Sequence, residues 1–361
     1  MRKPRKRFAL LAIAVLATTG ALAACSTGGS DSESTDGGGS ADAIKIGLLL
    51  PESKTTRYES FDRPLFEDKL TSLGDYEIVY ANADQDAAKQ QQQAESALTE
   101  GVKVLVLDPV DGAAAASIAE AAAAQDVPVV SYDRLIKSDK IDYYISFDNE
   151  QVGVLQGTAL VDRLQQDGTT TGLIMINGSP TDANAAEFKK GAHSVIDGSG
   201  IPILAEYDTP DWSPDKAQEW AAGQITQFGP EISGVYAAND GTAGGAIAAM
   251  KAAGVTPWPP VTGQDAELAA IQRIVAGDQY MTVYKAIKLE AEKAAEVADQ
   301  LAQGETPEPD TTFQDTPSTL LTPVVVTIDN IQDTVIDDGF YTVDEICTDE
   351  YADACAAAGL Q

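Results

Sequence analysis

The chain has 361 residues, 44% of them hydrophobic, with 56 acidic against 24 basic side chains and a formal net charge of -32. That length is more than one core needs, so two lobes of ordinary domain size are expected. The acidic balance argues against nucleic acid as a partner, because phosphate binding needs a field of the opposite sign.

The chain opens on MRKPRKRFALLAIAVLATTGALAAC, five basic residues followed by an apolar run and then small residues. This is the pattern of an export signal, predicted over residues 1–24. Leu22-Ala23-Ala24-Cys25 resembles the bacterial lipobox, which implies that Cys25 is lipid-modified, is the first mature residue, and anchors the protein to the outer face of the cytoplasmic membrane. Residues 25–43 are Gly, Ser and acid with almost nothing to bury, and read as a flexible tether.

Beyond the tether, strands are predicted at 44–50, 77–81, 102–108 and 127–133, with helices at 57–73, 86–100 and 111–125 between them. A second series places strands at 170–176, 201–207, 233–240, 260–265 and 281–285, and helices at 184–196, 214–228, 241–253 and 266–276. A helix over 286–303 and a β-rich stretch over 319–331 close the lobes. Such alternation predicts parallel sheets with right-handed crossovers, and two series of it predict two doubly wound α/β lobes. Cys347 and Cys355 are eight residues apart near the C-terminus. In an exported chain with no metal-ligand partners nearby they are expected to pair, pinning a tail over 346–361.

Ligands of open parallel sheets bind outside the carboxyl ends of the strands. At such ends stand Asp133 and Arg134 after VVSY, Asn239 and Asp240 after VYAA, Asp265 after VTGQ and Lys285 after MTVY. An Asp-Arg pair there also reads as a local ion pair. Asp240 reads as the cap of the following helix, and Trp212 as an ordinary partly buried aromatic. The single histidine, His193, falls in a helix with no nucleophile motif around it, so the chain is not expected to be an enzyme, although paired carboxylates across two lobes leave glycoside hydrolysis open. A sugar-responsive repressor would need a basic helix-turn-helix where this chain has an export signal.

The strings IKIG, VLVLDPVDG, VVSYDRLI, DYYISFDNEQVG, GSPTDANA, AANDGTAGGAIAAM, TGQDAELAAIQRIVAGDQYMTVYK, LLTPVVV and DTVIDDGF resemble the xylose-binding proteins of bacterial ABC transporters, in the pentose- and hexose-binding branch of the type I periplasmic binding proteins. The resemblance runs from about residue 44 to about 344. It implies two lobes joined by three hinge strands, 44–150 with 285–322 and 151–284 with 323–345. It further implies a monomer that closes on a monosaccharide, D-xylose first and glucose, arabinose, ribose or galactose otherwise, for an ABC permease and its ATPase, and possible service to a chemoreceptor; no cofactor is implied. The sugar-binding residues it implies are Arg57, Tyr58, Asp133, Arg134, Asp182, Asn184, Trp212, Asn239, Asp265 and Lys285. Tyr58 stands where the family usually has tryptophan. Asp133, Asp182 and Asp265 against Arg57, Arg134 and Lys285 form a balanced set that suits a neutral polyol, although it would equally suit a zwitterionic amino acid.

Overall fold

The computed structural model describes residues 43–360. The export signal, Cys25 and nearly all of the tether lie outside the described residues.

In chain order the elements of the first series are β1 (Ile44–Leu50), a π-helical turn (Tyr58–Asp62) running into α1 (Arg63–Leu73), β2 (Tyr76–Asn82), α2 (Ala87–Thr99), β3 (Val104–Leu107), α3 (Ala116–Ala123), β4 (Val129–Tyr132) and β5 (Tyr143–Phe147). The second series is α4 (Asn149–Asp167), β6 (Leu173–Asn177), α5 (Ala183–Ile196), β7 (Ile203–Asp208), α6 (Pro214–Phe228), β8 (Gly234–Ala237), α7 (Asp240–Ala253), α8 (Leu268–Ala276) and β9 (Thr282–Tyr284). Then come α9 (Ile287–Ala302), β10 (Thr311–Phe313), β11 (Thr316–Leu321), β12 (Val324–Val326), α10 (Val343–Ile346) and α11 (Ala352–Ala358).

The first lobe is built on a seven-stranded sheet in the order β10-β11-β5-β4-β3-β1-β2, parallel except for the β10–β11 hairpin. Side chains of a strand alternate between faces, and the buried residues follow that rule. Leu48, Leu50, Val104 and Val106 pack with Phe66 and Leu70 of α1 and Ala291, Ala294 and Ala298 of α9. Leu49, Leu105 and Leu107 pack on the other face with Ala94 and Ala97 of α2 and Ile118 and Ala119 of α3. Each such fully buried aliphatic side chain contributes about 1.5–3 kcal/mol, so sandwiching the sheet requires apolar strands on both faces.

The second lobe repeats the plan around β7-β6-β8, with α4 and α5 on one face and α6 and α7 on the other. Its sheet continues through 260–265, expected as a strand and present as an extended segment held on both sides. Val235 N–H donates to the Pro260 carbonyl at 2.9 Å, and Tyr280 and Val283 N–H donate to Val261 and Gly263 at 2.9 and 3.0 Å. β9 then pairs antiparallel with β12. The chain passes between the lobes three times: from β5 into α4, from β9 into α9, and from β11 into β12.

Five elements lie where none was predicted: β5, the 19-residue α4, β10, α10 and α11. The cap expectation at the start of α7 needs correction. Asn239 is the cap, its Oδ1 accepting from Thr242 N–H at 2.9 Å in a capping box, whereas Asp240 is the buried first helical residue. Its carboxylate accepts from Gln279 Nε2 at 2.7 Å, Thr282 Oγ1 at 2.9 Å and Glu267 N–H at 2.9 Å. Cys347 and Cys355 are joined in a disulfide, Cα atoms 5.8 Å apart, against the core that holds Ile346 and Leu360. His193 lies on α5 and bridges Asp197 and Glu206 at 2.9 and 3.0 Å. Among the described residues no helix is long and apolar enough to cross a membrane.

Candidate functional site

The carboxyl ends of both sheets face one narrow cavity of about 20 Å³, far below the usual 300–1,000 Å³ of ligand sites. All ten residues singled out above line it, together with Thr55, Phe188 and Gln264. Every one of the ten is buried.

Local backbone explains how so many side chains reach one point. Asp133 leaves β4 with φ 53°, Trp212 has φ 52° and Asp265 has φ 94°, a half of conformational space that non-glycine residues seldom occupy and that tends to cluster at functional sites. Two other side chains sit on helix ends. Asp182 caps α5, Oδ1 accepting from Asn184 N–H at 2.8 Å, while its Oδ2 accepts from Trp212 Nε1 at 3.0 Å. The indole fits because residue 178 is glycine: a Cβ there would stand 2.0 Å from the ring.

On the first lobe the polar groups are tied into a network. Arg57 grips Asp62 with Nε and Nη2 at 2.9 and 2.6 Å, reaches Glu290 at 2.5 Å and stands 3.4 Å from Asp133. Tyr58 donates to Asp133 at 3.0 Å and receives Arg134 Nη2 at 3.1 Å. Arg134 Nε lies 3.0 Å from Asp182 across the cleft, 3.7 Å from Asp108, and its Nη2 lies 3.9 Å from Glu52. Lys285, at the second crossing, pairs with Asp265 at 3.1 Å and stands 3.9 Å from Asp133. Asn184 Nδ2 donates to the Asp133 carbonyl at 3.0 Å.

Burial opposes ionisation of Asp133, but the charges of Arg57, Lys285 and Arg134 outweigh it and hold the carboxyl down at about 2. Burial dominates elsewhere: it raises Asp182 and Asp108 despite Arg134, and pushes Glu290 up to about 8 despite Arg57. Lys285 is raised; burial works against its charge, and Asp265 and Asp133 more than restore it. The acids outnumber the three cations once Glu52, Asp62, Asp108 and Glu290 are included, and the upward shifts of Asp108, Asp182 and Glu290 have burial as their chief cause. What remains offers donors and acceptors together around a space flanked by Tyr58, Phe188 and Trp212.

Those four acids behind the cavity and three of its lining residues were not anticipated. Phe188 was within reach, being one helical turn beyond Asn184 on α5. Gln264 directly precedes Asp265. Among the described residues no cluster of metal-ligating side chains occurs.

A family model described as periplasmic binding protein domain matches residues 46–306. The chain is 40% identical over 311 residues to the D-xylose-binding periplasmic protein of Escherichia coli, covering 84% of this chain and 92% of that one. It is 37% identical to the protein of the same name from Haemophilus influenzae, with the same coverage. Among solved structures, a carbohydrate transporter solute-binding protein from Chloroflexus aurantiacus in complex with D-glucose superposes with a TM-score of 0.78 at 32% identity, covering 84% of this chain and 98% of that one. With a family match over most of its length and two lobes linked by three crossings, the chain belongs to the periplasmic binding proteins, in their type I fold, and is a binding protein rather than an enzyme.

Proposed function

We propose that this protein is the sugar-capturing component of an ABC importer. It takes up a monosaccharide, D-xylose first, between its lobes and delivers it to the permease and, through it, to the ATPase. The observation that carries this reading is the cavity itself, buried, lined from both lobes, and balanced between three cations and three carboxylates around aromatic faces. A neutral polyol can donate to Asp133, Asp182 and Asp265, accept from Arg57, Arg134 and Lys285, and lay its C–H face on Trp212 or Tyr58. Neither lobe holds the whole set, so a bridging ligand favours the closed state.

Xylose is favoured over other sugars by the two relatives named for it. Glucose is the second reading, since the Chloroflexus protein carries D-glucose. Thermal-shift titration with D-xylose, D-glucose, arabinose, ribose and galactose decides between them, because a ligand that binds only the native state raises its unfolding midpoint. D-xylose should give the largest shift at equal concentration. No shift with any of these sugars would overturn the sugar assignment.

The export signal and Cys25 support anchoring of the protein by lipid on the outer face of the cytoplasmic membrane. Cys25→Ser should release it into the soluble fraction; continued membrane retention would refute the anchor.

A further inference from the structure

Helix α9 leaves the second crossing two residues after Lys285, and its first turn carries Glu290. The rest of its buried face is small or aliphatic, Ala291, Ala294, Ala295, Val297 and Ala298. A carboxyl there is costly to bury unless it has a partner, and Glu290 is fully buried. Its Oε2 accepts from Arg57 Nη2 at 2.5 Å, while Oε1 has no partner. Asp62 takes the other side of the same guanidinium, at Nε and Nη2, and is itself held by the Tyr132 hydroxyl. Two of the three guanidinium nitrogens are thereby committed. The third, Nη1, has only a loose contact with Asp133 at 3.4 Å. Because a guanidinium is planar with donors in fixed directions, fixing Nε and Nη2 fixes where Nη1 points.

We propose that Glu290 is a positioning residue of the ligand site: it acts through Arg57, sharing Nη2 with Asp62 so that the guanidinium is held from two sides and Nη1 remains available to a ligand hydroxyl. Its place five residues beyond Lys285 on the same crossing ties that orientation to the hinge. This rests on the sugar reading above. Besides Arg57, the charged groups that act on Glu290 are Asp133, Asp62 and Lys285, and removing its carboxyl takes one acceptor from Arg57 Nη2 while leaving the Asp62 contacts in place.

The test is a double-mutant cycle read by calorimetric titration of D-xylose into the purified protein, with unfolding midpoints measured alongside. Glu290→Met keeps the volume, removes the acceptor and should weaken binding about tenfold or more. Glu290→Gln should recover most of that loss, because its amide oxygen can accept from Nη2. In an Arg57→Lys background, where there is no guanidinium plane to set, Glu290→Met should cost little further affinity. Glu292→Gln, on a more exposed face of the same helix, should bind as wild type does. If Glu290→Met does not fold, the cycle runs with Glu290→Gln and a smaller loss. Equal losses with and without Arg57, or wild-type affinity in the Glu290 variant, would overturn the proposal. Absence of binding by the wild-type protein to any sugar would instead sink the sugar reading on which it rests.

Discussion

The two halves of the cavity are built by different means. The first lobe presents charges locked to one another: Arg57 touches three carboxylates, and Tyr58 links Asp133 to Arg134. The second lobe presents side chains fixed by backbone, with Asp182 and Asn239 as helix caps and Trp212 and Asp265 on left-handed residues. A guanidinium among acids holds its direction because any rotation leaves a buried charge unpaired. A capping side chain holds its direction because it is bound to its own helix. The first lobe should therefore be sensitive to loss of charge, and the second to loss of shape.

Arg134→Ala should have the largest effect. It leaves Asp182, Asp108 and Glu52 without their nearest cation, and truncating one side of a buried charged contact costs about 2–5 kcal/mol of binding. Calorimetry with D-xylose reads it directly; an unchanged affinity would remove Arg134 from the site.

Next is a pH dependence to which both lobes contribute. Burial is the chief cause that pushes Glu290 up to about 8 in the first lobe, and Asp240 and Glu267 up to about 7 and about 8 in the second. Between their ordinary values and these, the folded chain holds protons that the unfolded chain has released, so stability falls as pH rises from about 4 to about 8. Asp133 and Glu206, both held at about 2, act in the opposite direction, but only below about pH 4. Denaturant midpoints of the sugar-free protein should thus be higher near pH 5 than at pH 8. A midpoint that rises over that interval would show these carboxyls to be ionised.

Shape is tested by Gly178→Ala. The added Cβ would meet the Trp212 ring at 2.0 Å, so the indole must shift at a cost of about 1–3 kcal/mol, and affinity should fall although no charge has changed. Wild-type affinity here would mean that Trp212 does not cover the ligand. The smallest effect is expected of Lys190→Ala. Its side chain is 63% exposed and pairs with Glu150 outside the cavity, so titration should find binding within about 0.5 kcal/mol of wild type.

Much of this was legible because apolar strands end in charged residues: VVSYDR and MTVYK mark both the strand and the place where a ligand would meet it. What escaped was written in contacts rather than in pattern. Helix α4 went unpredicted because Gly153 and Gly157 interrupt its apolar periodicity. They are there because α5 lies against them, and a Cβ on Gly153 would fall 1.9 Å from the Phe188 carbonyl. Glu290 sits in EAEKAAE, which reads as a solvated helical face, and only the fold brings it to Arg57, 233 positions away. The acid after β4 was visible at once, but the two acids that hold Arg57, Asp62 and Glu290, are separated along the chain and share no motif.

Small-angle X-ray scattering of the purified protein titrated with D-xylose tests most directly whether ligand bridges the two lobes. The radius of gyration should fall and saturate with sugar, because only the closed arrangement satisfies the charged half and the capped half together. A radius unchanged at sugar concentrations that calorimetry shows to be saturating would place the ligand on one lobe alone and contradict the shared cavity.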